Sequence, residues 1–314
     1  MARLRKQGVA TAELEPRHDF VHTTPLMTHP LDHLVLPTRD LGAARARLTK
    51  LGFTVAPQGT HPFGTINCCV YFADGTFLEP LAIGGAADAD AAVSAGNVFV
   101  GRDRTFRARN GDEGFSAVVF GTGDADADHM RYEATGITAG QRLDFSRPFV
   151  DAAGRQDAVS FRLAFAAASD MADAFAFACQ RVNAPKVDRA ALQVHRNGAT
   201  GILEVAGVAG DPAGKLRFLA QAADASADPT SESRLTLPNA LLSLDDPAGF
   251  ERRFGMTAEA SPLRFEAIVF GVERIETVST LLAGNGVSHH LRDGRAIIPP
   301  AAGQGAIFVF EENS

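Results

Sequence analysis

Two residues able to hold a metal ion or carry a proton stand at opposite ends of one stretch, His33 near its start and Glu79 near its end. An imidazole nitrogen and a carboxylate oxygen together suit a divalent ion of borderline hardness, Zn, Mn, Fe or Ni. A carboxylate with an open side can also act as a general base. Between them lie His61, a candidate further donor and catalytic partner of Glu79, and Asn67, a candidate ligand-binding residue. Gln180, His195 and Asn197 extend the ligand-binding set, with both last residues in the segment HRNGA. Glu204 and Glu266 form a second candidate site. Two converging carboxylates repel, so they require a cation, a shared proton or access to water.

The elements that must position these groups can be read from the same stretch, residues 31–81. Residues 32–36 are an apolar strand carrying His33. Thr38 or Asp40 can cap a helix whose Leu41, Ala44, Leu48 and Leu51 recur at three- and four-residue spacing. Gly52 suits the left-handed position that ends such a helix, and residues 53–55 are expected to start a second strand. Residues 68–72 and 76–81 read as strands joined at Ala73-Asp74-Gly75, since Asp-Gly is a strong hairpin signal. The unit is βαβββ, with His33 on its first strand and Glu79 on its last.

This order, with LDHLVLPTRDL, the T-HP-x-GT-x-N run at residues 60–67 and DG-x-x-LE at 74–79, resembles the vicinal oxygen chelate superfamily. Its glyoxalase-like domain branch is the nearer likeness. The resemblance implies two βαβββ modules curled into a half-barrel cup. Their first- and last-strand positions would point inward, where one divalent metal is usually held. Here those positions would make His33 and Glu79 metal ligands. The implied activities include isomerases, ring-cleaving dioxygenases, thiol transferases and non-catalytic binding proteins. A ring-cleaving dioxygenase would want two His and one Glu with a supporting Tyr or His, and this incomplete set speaks against it.

The pattern recurs from Phe115, Gly201 and Arg264, each time as a strand followed by a candidate helix. Asp124 and Asp211 repeat the cap at a common spacing. Four modules give an α+β fold with two cups, divided as an N-terminal arm 1–28, a glyoxalase-like domain 29–190 and a second module pair 191–314. Seven residues before each cap stand His33, Ala117, Glu204 and Glu266. Gln180 is the expected last-strand partner of Glu79 in module two, and Glu311 or Glu312 fills that role in module four. A register error of one residue would turn any of these to the other face. The modules could pair within one chain or across a homodimer.

A net charge of −7, without a long basic run, argues against nucleic acid or an anionic membrane as partner. No window reaches the roughly 20 apolar residues of a membrane span. The start, MARLRKQ, lacks the apolar run of a signal peptide, so a cytoplasmic location is expected. The three cysteines form neither a disulfide framework nor a metal clip and read as buried thiols. Nucleophile-elbow, Walker and dinucleotide-binding motifs are missing. Phe-rich runs alternating at strand period would give the cup an apolar lining. Two functional readings are therefore open. One is a metal-dependent lyase, isomerase or dioxygenase-like enzyme on a small oxygenated metabolite. The other is a metal-free protein that sequesters a small molecule in the manner of bleomycin-resistance proteins.

Overall fold

The structure, a computed structural model, describes residues 28–150, 156–183, 188–226 and 233–313. Most of the expected N-terminal arm thus lies outside the described residues. Strand β1 (Leu31–Pro37) is buried along its whole length. Helix α1 (Leu41–Lys50) is capped by Asp40, which accepts from the Ala43 N–H at 2.8 Å, and it buries Leu41, Ala44 and Leu48. Gly52 ends it at φ +93°, and a Cβ there would lie 2.9 Å from Asn197.

Residues 53–55 do not form the expected strand. Their backbone is already engaged: the Phe53 N–H donates to Leu48 O, and the Thr54 N–H donates to the His195 ring. The short strands β2 (Gly59–Thr60), β3 (Thr65–Asn67) and β4 (Val70–Tyr71) follow, then β5 (Phe77–Ile83). The Asp-Gly turn forms as expected, with Gly75 at φ +91° and Asp74 accepting from Thr76. Two helices without a clear apolar stripe come next, α2 (Ala86–Ser94) and α3 (Val98–Asn110).

The second unit is β6 (Ala117–Gly121), α4 (Ala125–Ala134), β7 (Leu143–Val150), β8 (Gln156–Ala166) and β9 (Phe175–Asn183). The third is β10 (Gly201–Val208), α5 (Pro212–Ala222), β11 (Arg234–Thr236) and β12 (Leu241–Asp245), followed by α6 (Pro247–Phe254). The fourth is β13 (Arg264–Val272), α7 (Ile275–Gly284), β14 (His290–Arg292), β15 (Arg295–Ile298) and β16 (Ile307–Glu312). Asp124 and Asp211 cap α4 and α5. At α7 the cap position is Arg274, which makes no side-chain cap, and Glu312 accepts from the Ile275 N–H instead.

In all four units the first strand runs parallel to the last: β1 with β5, β6 with β9, β10 with β12 and β13 with β16. Units one and two join through antiparallel β1 and β6, and units three and four through β10 and β13. Two curled sheets result, ordered β2-β3-β5-β1-β6-β9-β8-β7 with β4 on β5, and β11-β12-β10-β13-β16-β15-β14. The fold is therefore the repeated βαβββ α+β architecture, with three strands in the third unit among the described residues.

Alternation along each strand sorts side chains between two faces. Leu34, Val118, Ile202 and Ile268 point into one core shared by both sheets. On the other face of the first sheet, Val35, Leu81, Ala117, Val119, Phe175 and Phe177 pack under Ala89 of α2 and Phe99 and Val100 of α3. On that of the second, Ala206, Ala267, Val269 and Val309 pack under Phe250 and Phe254 of α6. Each concave face thus carries a helical cover, and burying each such Phe stabilises the fold by about 1.5–3 kcal/mol.

Candidate functional site

His33 reaches the concave face through a register shift in β1 between Leu31 and His33. Its ring stacks on Phe77, 4.3 Å away between centroids, with the edge of Phe177 at 5.7 Å. His33 Nδ1 donates to Asp32 Oδ2 at 2.8 Å, and Asp32 is in turn paired with Arg181 at 2.7 Å. His33 Nε2 faces Glu79 Oε2 at 3.4 Å. Glu79 stands on β5 opposite Val35, where period-two alternation turns it inward beside Leu81.

The other oxygen of Glu79 takes a 2.6 Å hydrogen bond from the Asn67 amide on β3. His61, on the turn between β2 and β3, completes the group. Its ring is held by Thr65 Oγ1 at Nδ1, 2.8 Å, and by stacking on Phe63 at 5.0 Å. Its Nε2 lies 3.6 Å from Glu79 Oε1 and 3.5 Å from the Asn67 amide nitrogen. That amide only donates, so it assigns the proton of a neutral His61 to Nδ1, toward Thr65, and leaves Nε2 as an acceptor. Glu79 Oε1 and His61 Nε2 are therefore two proton acceptors side by side. His33, His61 and Glu79 are only 5%, 8% and 6% exposed.

Burial would raise the Glu79 carboxyl, but His33, His61 and Asn67 outweigh it and hold the group down at about 2. Burial would lower His33, yet Asp32 and Glu79 raise it above the ordinary imidazole value. His61 goes the other way. Burial brings it down to about 4 against the pull of Glu79, with Arg147 and His33 adding to the fall. At neutral pH the group thus holds a carboxylate at Glu79 and a neutral imidazole at His61, while Asp32 and Glu79 favour the protonated form of His33.

The second module adds nothing polar at the matching positions. Glu79 pairs with the residue two beyond His33; the residue paired two beyond Ala117 is Phe177. Gln180 therefore faces away, and its side chain accepts from the Ala125 N–H and donates to Gly123 O at the start of α4. The expected partnership of Gln180 with Glu79 fails by strand register, Cys179 being the residue on the cup side.

His195 and Asn197 also lie outside the cluster. His195 accepts from the Thr54 N–H and donates to Tyr71 O, both at 3.0 Å. The Asn197 amide donates to Leu51 O, and its oxygen accepts from the Ala199 N–H. Both staple the connector between the sheets to the first module, so their polar atoms are spent on backbone. Glu204 and Glu266 do not form the expected pair. Arg253 binds both oxygens of Glu204, and Arg264 reaches Glu266 at 3.2 Å. Glu311 pairs with Arg295. A register shift in β13 between its partners Ala206 and Gly207 separates the two inward rows.

Three contributors were not read from the sequence. Asp32 orients His33, Arg181 holds Asp32, and Thr65 holds His61. Only Arg181 carried a signal, since period two puts it on the face of Phe177 and Cys179. A metal centre does not fit the residues as placed. Among the described residues no group of three or more His, Cys, Asp or Glu side chains is arranged to hold an ion. Two of the four inward strand positions are Ala117 and Phe177, which offer no ligand atom.

The Glyoxalase-like domain family matches residues 31–223. No curated protein matches the chain by sequence. Among solved structures, a hypothetical protein from Staphylococcus aureus superposes with a TM-score of 0.61 at 13% identity, covering 90% of this chain and 99% of its own. A mutant of 4-hydroxymandelate synthase from Streptomyces coelicolor gives 0.57 at 14% identity, covering 91% and 93%. The Mn(II)-bound glyoxalase from Novosphingobium aromaticivorans gives 0.49 at 8% identity, covering 91% and 82%. These likenesses are of fold.

Proposed function

Since the chain belongs to the glyoxalase-like domain family, we propose that its first cup binds a small oxygenated metabolite and moves a proton on it, in lyase or isomerase fashion. The observation that carries this reading is the acceptor pair, His61 Nε2 and Glu79 Oε1, 3.6 Å apart on an otherwise apolar floor. The acceptors need no metal to be poised. Neutral His61 takes a proton from a carbon next to a carbonyl and becomes an imidazolium. Glu79, ionised beside it, favours that charge, as a carboxylate favours the imidazolium of a catalytic triad. The proton is then returned to a neighbouring atom of the ligand. His33 and Asn67 fix the carboxylate, and Asp32 fixes His33.

The lining supports a ligand with an apolar body. Phe63, Phe99 and Phe145 surround the His61 ring with centroids 5.0 to 6.0 Å away. Tyr71, Phe77, Phe145 and Phe161 are half-buried and form the mouth.

The test is hydrogen–deuterium exchange. Small 2-oxo acids and hydroxyketones would be incubated in deuterated water with protein treated with chelator, and followed by proton NMR. Exchange at a carbon beside the carbonyl is expected with wild type and lost in His61→Ala and Glu79→Gln. Near-stoichiometric metal in the untreated protein, with exchange abolished by chelator, would overturn the metal-independent mechanism. Ligand binding without exchange would leave the cup a sequestering site.

A further inference from the structure

The mouth of the first cup is ringed by arginines although the chain as a whole is acidic, at −7. Arg147 stands two residues beyond Phe145 on β7, so alternation turns both the same way. Its guanidinium lies 5.7 Å from the Phe161 ring centroid. It also reaches the floor, for a Cβ added at Gly59 would lie 2.6 Å from Arg147 Nη1 and 2.4 Å from Asn67 Oδ1. Arg189, in the connector, lies 4.6 Å from the Tyr71 ring. Arg181 lies 5.9 Å from Phe77, and Tyr71 and Phe77 are themselves 5.3 Å apart. Arg181 and Arg189, from two separate segments, thus flank one aromatic pair whose Phe77 stacks on His33, and the charges of Arg147 and Arg189 both act on the Tyr71 hydroxyl.

Arg181 is committed to Asp32 through both oxygens. Arg147 and Arg189 are placed by rings, whose faces orient a guanidinium without spending its N–H donors. Planar forks held in this way suit an oxyanion that can take two parallel hydrogen bonds. The apolar walls beneath them suit a flat body.

Resting on the reading of the cup as a ligand site, we infer that Arg147 and Arg189 form an anion subsite at its mouth, selecting ligands that join a planar apolar body to a carboxylate or phosphate. The subsite sets orientation: the anion stays at the rim while the uncharged, oxygenated end reaches His61 and Glu79. It also draws ligands toward one opening of a protein that repels anions elsewhere.

Two fluorescent probes of similar body separate the subsite from the cup. 1-Anilinonaphthalene-8-sulfonate carries an anion, and N-phenyl-1-naphthylamine does not. Their affinities would be titrated against full-length wild type, Arg147→Gln and Arg189→Gln, each checked by circular dichroism melting. The anionic probe should weaken by about tenfold in each variant, a change of about 1.4 kcal/mol, and the neutral one should hold its affinity. The anionic probe alone should also weaken with added salt. Equal losses for both probes, or no loss in either variant, would overturn the subsite while leaving the cup. A wild type that binds neither probe would overturn the cup itself, and the subsite with it. Displacement by benzoate or by phenyl phosphate then tells a carboxylate from a phosphate, and displacement by neither counts against the subsite.

Discussion

Glu79 and His61 both resist protonation in the folded protein, and this gives the cluster a definite response to acid. His61 falls from 6.5 to about 4, so its contribution is complete above pH 6.5 and is lost as pH drops through 4. Glu79 falls from 4.5 to about 2, so its contribution is complete above pH 4.5 and is lost toward 2. His33 is raised, so its contribution is present below 6.5 and is lost as pH rises through the folded value. Urea midpoints between pH 7 and 4 should therefore decline in wild type and decline less in His61→Phe, which keeps a ring on Phe63. Glu79→Ala at pH 6, where His33 is protonated, strands that buried charge with Asp32 alone and should cost about 3–5 kcal/mol in the same assay. His33 and Glu79 were legible because strand alternation and a hairpin turn fix their sides. Gln180 was not, because nothing in its own strand, FAFACQRVN, marks the register, and one residue separates the cup from the helix face.

At the scale of elements, strands and caps were easier to read than the helices covering the cups. Asp40, Asp124 and Asp211 cap where their spacing indicated, since a short acceptor before an apolar stripe is a local signal. Helix α3 gave no such stripe. Its buried Phe99, Val100, Asp103 and Phe106 make a narrow seam broken by charge. Helix α6 is too short for periodicity to show, yet its Phe250 and Phe254, 4.6 Å apart, fill the second concave face. The two covers should separate by function. Phe250→Ala should cost about 3–5 kcal/mol in urea unfolding and leave proton exchange unchanged. Phe99→Ala should cost a similar amount and alter exchange as well, since that ring lies 6.0 Å from His61.

The whole molecule holds together where the two sheets meet. Phe53 and Phe72 of the first module pack against Phe270, Phe308 and Phe310 of the fourth, with centroids 5.2 to 6.1 Å apart. Asn239 binds both backbone groups of Leu31, and Tyr132 donates to Ala222 O. A division at residue 190, which the repeat pattern suggested, would cut through this shared core. Residues 29–190 made alone should expose that aromatic face and sediment as aggregates, whereas the intact chain should unfold in one transition. A repeat of local elements is visible in a sequence. The long-range contacts that fuse the repeats carry no local spacing and are not.

The position of β16 bears on how such a chain reaches its native state. The last strand in sequence order, it lies inside its sheet between β13 and β15. Until it docks, β13 lacks its parallel neighbour and β14 and β15 have nothing to hold them. Phe53 meanwhile waits for Phe308 and Phe310. Parallel pairings between distant segments are slow to form because loop closure precedes any gain from contact. Synthesis from the N-terminus would therefore deliver an early sheet with one greasy side uncovered until β16 emerges.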